Sequence, residues 1–139
     1  MNRRGERGSI SVWMVTASFV MMVLVGLAVD LGGQVHTQQR ARDVAAQAAR
    51  IGGQQVQPAP AVRGQYVAVN TAPARAAAQH YLTTSGLNGT VTVTGGNTIT
   101  VMVTDTYQPK FLLFLGIDHL DVTGTASARL IRSFGGNEE

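Results

Sequence analysis

The sequence predicts an α+β fold: an N-terminal transmembrane helix that continues into an alanine-rich helix, followed by a small domain. That domain combines a second helix with a three-stranded antiparallel sheet. Three observations lead there. Residues 10–29 form an apolar run with no charged side chain. Mostly small residues, from Ala41 to Gly52, then recur at helical spacing. Beyond Gly86 the apolar period drops to two, in three separate stretches.

The run ISVWMVTASFVMMVLVGLAV is long enough for a helix of about 30 Å, the thickness of a bilayer's hydrocarbon core. Isoleucine, leucine, valine and phenylalanine fill half of it, each favouring insertion by about 0.3 to 0.6 kcal/mol at a helix centre. Ser11, Thr16 and Ser18 can return their hydroxyls to backbone carbonyls one turn back. Arg3, Arg4 and Arg7 precede the run, offset only by Glu6, whereas Asp30 is the first charge after it. Basic residues stay preferentially on the cytoplasmic side. Residues 1–9 are therefore expected in the cytoplasm, 10–29 in the membrane, and the remainder outside. The competing reading is a cleaved signal peptide with Gly26-Leu27-Ala28 as its cutting site. Against it, the apolar run exceeds the usual 7 to 15 residues.

About one hundred residues remain for the exported part, enough for one small domain. The chain has no cysteine, so neither disulfides nor thiolate metal sites can support it. Its net charge of +3 owes most to the arginines before the span, leaving the exported part close to neutral. No basic stripe interleaved with aromatics appears, which argues against nucleic acid as a partner.

Residues 30–56 read as a continuation of the first helix, with Gly32-Gly33 as its weak point. Each glycine costs about 1 kcal/mol relative to alanine and invites a kink there. Ala41, Val44, Ala45, Ala48 and Gly52 fall on one face, while Gln38, Gln39, Arg40, Arg42, Asp43 and Arg50 lie mostly elsewhere. Such a small-residue stripe allows another backbone to come close. It fits either an amphipathic helix resting on its own domain or one packing against identical or related helices. Pro58 and Pro60 should end this helix, with 57–70 as a linker. The second helix begins with Thr71 as cap and Pro73 in its first turn, and Gly86 stops it. Its apolar face is Ala74, Ala77, Ala78, Tyr81 and Leu82.

Residues 90–94 and 98–104 alternate threonine with aliphatic side chains, and Gly95-Gly96-Asn97 between them is hairpin chemistry. Ile99, Val101 and Val103 should point inward. The third strand places Leu120, Val122, Ala126, Ala128 and Leu130 inward, with Asp121, Thr123, Thr125, Ser127 and Arg129 outward. A sheet with one apolar face needs a cover, which only the helices can supply. The small domain then spans 71–133, with 134–139 as a flexible tail.

One connection breaks the pattern. Phe111, Leu112, Leu113, Phe114 and Leu115 follow one another between Pro109 and Gly116. Five consecutive large apolar residues are too many to leave in water without purpose. Either the connection folds back as a short helix that plugs the sheet, or it is a contact patch for a partner or the membrane surface.

Catalytic chemistry is hard to find. His36, His80 and His119 are scattered, and no His-x-Glu or His-x₃-His spacing offers a metal site. Asp118, His119 and Asp121 read as solvated residues at a turn and strand edge. Neither a G-x-S-x-G elbow nor a phosphate loop occurs. No catalytic, cofactor-binding or metal residues are assigned, and the chain reads as a non-enzyme.

The N-terminal pattern resembles the TadE/TadG type of Tad (tight adherence, Flp pilus) assembly proteins. Its carriers are Arg7, Gly8 and Ser9, then Gly26, Leu27, Val29, Asp30 and Gly32, and the alanine-rich run from 41 to 49. The later TVTVT, TITVMVTDTY and LDVTGTASARL are similar in style to the small sheets of such proteins. The resemblance implies a pilus-assembly or minor pilin-like protein at the cytoplasmic membrane, with a pilin-like head outside. It implies other pilus or pseudopilin subunits and assembly-platform proteins as partners, and association with further copies of itself. It also marks Gly8 and Ser9 as a candidate processing site. Processed pilins usually carry glutamate at the fifth position after the cut; here that position is Trp13, so a permanently anchored assembly protein is an equal alternative. A function from another class is a membrane-tethered domain that binds cell wall or another envelope partner through Phe111 to Leu115.

Overall fold

The computed structural model describes residues 7–55 and 71–130. The order of elements is α1 (Arg7–Gln54), α2 (Ala72–Ser85), β1 (Asn88–Thr94), β2 (Thr98–Tyr107), a 3-10 turn (Leu112–Leu115) and β3 (Leu120–Arg129). This is the expected α+β arrangement, with a long apolar N-terminal helix, a second helix and a three-stranded antiparallel sheet. The expected cytoplasmic segment through Glu6, the proline-bearing linker at 57–70 and the tail at 134–139 lie outside the described residues.

Helix α1 runs through Gly32-Gly33 without interruption. Helix α2 begins where Pro73 and Thr71 place it, although the Thr71 hydroxyl makes no capping bond. Proline near the start tolerates the missing N–H that would be unpaired there anyway. Gly86 closes the helix at φ 72°, and its N–H bonds the Thr83 carbonyl. That left-handed geometry is the usual reason for glycine at a helix end.

Strands β1 and β2 pair antiparallel with Val91 opposite Val101 and Thr94 opposite Thr98. The hairpin between them uses Gly95 and Gly96 at positive φ, while Asn97 keeps an ordinary backbone. Strand β3 completes the sheet on the other side of β2, giving the order β1-β2-β3. Its end is fastened to the hairpin, because the Leu130 N–H donates to the Asn97 carbonyl at 2.8 Å.

The chain divides into two compact units. One joins the N-terminal stretch through Val35 to Tyr107–Leu120; the other starts at His36, runs through Thr106 and resumes at Asp121. The second unit holds the core: Ala41, Ala45, Ala48 and Ala49 of α1, Ala74, Ala78 and Leu82 of α2, and Val91, Ile99, Val101 and Val103 of the sheet. Burial alternates along β2 and β3 as the period of two requires. With so many alanines in the core, the elements meet at backbone range. A Cβ on Gly124 would strike the backbone of Ala41 and Arg42, and one on Gly52 would sit 2.9 Å from the Ala74 carbonyl oxygen. Beside this core, Arg40 lies 3.8 Å from the half-buried Asp105 carboxylate, which also accepts the Thr106 N–H at 2.8 Å.

Candidate functional site

The first unit contains an arrangement that periodicity alone does not announce. Gly26, Asp30 and Gly33 are spaced four and three apart, so they line one face of α1. Gly26 and Asp30 are the only buried residues in the first thirty-five for which burial is described. Apart from the half-buried Ala17, the rest of the apolar run 10–29 is exposed, with Val12, Trp13, Val15, Met21 and Met22 each more than half accessible.

The segment after β2 lies on this face. The Asp30 Oδ1 accepts the Lys110 N–H at 2.8 Å and the Tyr107 hydroxyl at 3.3 Å. Its Oδ2 accepts the N–H groups of Phe111 at 2.8 Å and Leu112 at 2.7 Å. Four donors thus meet the four lone-pair sites that a carboxylate offers. The three amides open the 3-10 turn, where backbone donors have no partner within their own helix. Asp30 therefore caps a helical turn about eighty residues away in sequence. A fully buried carboxylate is costly unless hydrogen-bonded, and here every lone pair is engaged.

The glycines make room for this contact. A Cβ on Gly26 would lie 2.6 Å from Phe111 Cδ1, and one on Gly33 would overlap the Tyr107 phenol. Gly32, one residue earlier, faces open space. At Tyr107, burial pushes the phenol pKa above its ordinary value, and the Asp30 charge and hydrogen bond push the same way.

The apolar connection forms a short helical turn. None of Leu112 to Leu115 is buried. Phe114 is 86 % exposed and Leu115 75 %, while Phe111 and Leu113 are also exposed and Leu112 is half-buried. The turn is closed by bonds from Phe114 to Phe111 and from Gly116 to Leu113, and by Gly116 at φ 85°.

The small-residue face has a different fate. Ala41, Ala45 and Ala48 are fully buried, Gly52 is buried and Val44 half-buried, all packed into the core that their own chain builds. The face is packed within the chain. Gly8 and Ser9 fall in the first turn of α1.

Other polar groups offer little to a reaction. His119 and Asp118 pair with each other at the surface, and the imidazole holds the Asp118 carboxyl below its usual range through its hydrogen bond and then its charge. An open cleft of about 510 Å³ between α2 and the β1–β2 ladder is lined by amides, hydroxyls and Met102, without an ionisable side chain.

Residues 8–55 match the Tad family, described as "Putative Flp pilus-assembly TadE/G-like". The match coincides almost residue for residue with α1 and includes Gly26, Asp30 and Gly33. This segment is therefore similar to the TadE/G-like proteins. It covers about a third of the chain. No curated protein and no solved structure matches.

Proposed function

We propose that this chain is a single-pass structural component of a Tad/Flp-type pilus-assembly apparatus. A Tad-type segment and a candidate N-terminal membrane helix both fit a component of that apparatus. The observation that carries the reading is their coincidence: the family match falls on a helix whose apolar first half presents its side chains outward. Exposed apolar surface on that scale is stable in lipid and not in water.

In this reading residues 10–29 span the cytoplasmic membrane, the arginines before them stay inside, and the small α+β head at 71–133 lies outside. The head acts by contact with other pilus or pseudopilin subunits, assembly-platform proteins or further copies of itself. TadE/G-like proteins serve pilus assembly rather than catalysis, which agrees with a structural role here. Because the small-residue face is already occupied, such contacts would fall to the lipid-facing surface of the span and the exterior of the head. Gly8-Ser9 is the point at which a prepilin-type peptidase would release the arginines.

Deletion of the gene should abolish surface pili, and a phosphatase fused after residue 139 should be active only if the head is exported. Normal pili after deletion would remove the assembly role, and an inactive fusion in a stable protein would reverse the orientation. Mass spectrometry of the mature N-terminus distinguishes a chain beginning at Ser9 from one that is permanently anchored.

A further inference from the structure

The exposed large apolar residues outside α1 are confined to one place. Among the described residues, Met102 is the single exception; the others are Phe111, Leu113, Phe114, Leu115 and Ile117. They occupy one seven-residue stretch, and that stretch is bonded to the end of the span. Phe111 covers Gly26, three residues before the apolar run ends at Val29, or about 4.5 Å along a helix axis. The turn is thereby held level with the last turn of the span, not above it.

We propose that residues 111–117 insert into the bilayer beside the end of the span, as a second, non-spanning membrane attachment. The inference rests on the membrane reading of α1 and adds a lipid partner that the span alone does not imply. Two features select lipid over another protein as the occupant. First, the patch is continuous with the exposed apolar surface of residues 10–29, which the same bilayer must cover. Second, its backbone is prepared for a medium without water. The N–H groups of Lys110, Phe111 and Leu112 bond Asp30, and those of Phe114, Gly116 and Ile117 bond carbonyls within the turn. Backbone polar groups left unpaired are costly away from water, so this pairing suits the turn to the interfacial region of a bilayer. Lys110 before the patch, and Asp118 and His119 after it, supply polar ends at the headgroups. The expected depth is that of interfacial segments, about 5 to 10 Å below the headgroup boundary.

The chain's lack of cysteine allows a direct test on the full protein in phosphatidylcholine and phosphatidylglycerol vesicles. Single variants Phe114→Cys, Met21→Cys and Ser127→Cys each receive an environment-sensitive fluorophore. Phe114 and Ser127 are exposed, so labelling there leaves packing intact. The Phe114 label should be blue-shifted, lose most of its emission to shallow nitroxide lipids and resist aqueous iodide. The Met21 label should respond to deep nitroxides, and the Ser127 label to iodide alone. If the Phe114 label follows Ser127 while Met21 remains in lipid, the insertion is overturned and the patch is left to a protein partner. If Met21 also responds to iodide, the membrane reading itself fails.

Discussion

The Asp30 Oδ2 accepts the Leu112 N–H at 2.7 Å, across eighty-two positions of sequence. That bond joins the end of the apolar half of α1 to the loop between two strands of a sheet. Together with three further donors, it makes one carboxylate the fastening point of the first unit.

Replacing that carboxylate should release the loop and leave the sheet intact. Asp30→Ala strips the acceptors from three amides, where a hydrogen bond to a charged group contributes about 1.5 to 3 kcal/mol. Amide exchange at Lys110, Phe111 and Leu112 should then quicken by about tenfold or more. Asp30→Asn, which keeps one carbonyl oxygen, should fall between Ala and the native residue. Hydrogen-exchange mass spectrometry in nanodiscs reads both; unchanged protection in Asp30→Ala would refute the clamp.

Adjacent glycines should respond with opposite sign. At Gly32 a Cβ meets nothing within 4 Å, so Gly32→Ala should stabilise α1 by about 0.5 to 1 kcal/mol through helix propensity. At Gly33 the Cβ would overlap the Tyr107 ring, and Gly33→Ala should cost about 1 to 3 kcal/mol. Amide exchange along α1 and at 107–112 separates the two effects. Equal behaviour of the pair would show that the Tyr107 contact does not constrain the helix.

Gly124 allows no compromise of that kind. Its neighbours are the backbone atoms of Ala41 and Arg42, which cannot rotate aside as a side chain can. Gly124→Ala should lower the head's stability by about 3 kcal/mol, at the upper end of overpacking costs. Gly53→Ala is the control, since its Cβ would find the Ala128 Cβ at an ordinary 3.7 Å. Denaturant melts of the two variants that coincide would sink this account of the core.

Tyr107 should ionise above the ordinary range of a tyrosine. With its pKa raised in the folded chain, the protonated phenol favours the native state. That contribution is fully present below the ordinary value of 10.0 and is lost as pH rises through the higher folded value. Absorbance titration near the phenolate band should show a late step that is absent in Tyr107→Phe. If Tyr107→Phe removes amplitude at the ordinary tyrosine position instead of the late step, the phenol lies in water.

Much of the fold was legible because periodicity reports burial. The strands, the hairpin at Gly95-Gly96 and helix α2 all follow alternation or helical spacing, joined to turn chemistry that glycine and proline make explicit. The clamp was not, since its signal is three residues inside a segment already explained otherwise. Asp30 reads naturally as the first charge beyond a span, Gly26 as part of that span, and Gly32-Gly33 as a weak point. Only their shared face distinguishes them, and no local pattern says that an amide two strands later will arrive there. The alanine stripe was ambiguous for a related reason: small residues advertise close packing without naming the partner. The structure assigns that partner to the chain's own sheet and second helix.

The seven-position interval from Gly26 to Gly33 also acts as a ruler for insertions and deletions. Each residue added to a helix turns everything beyond it by about 100°. Lengthening the chain before Gly26 slides the whole seat deeper or shallower without altering its outline. A single codon gained or lost among residues 27–29 would swing the Phe111 recess a quarter-turn or more away from its carboxylate, so tolerance to indels should change abruptly at that boundary.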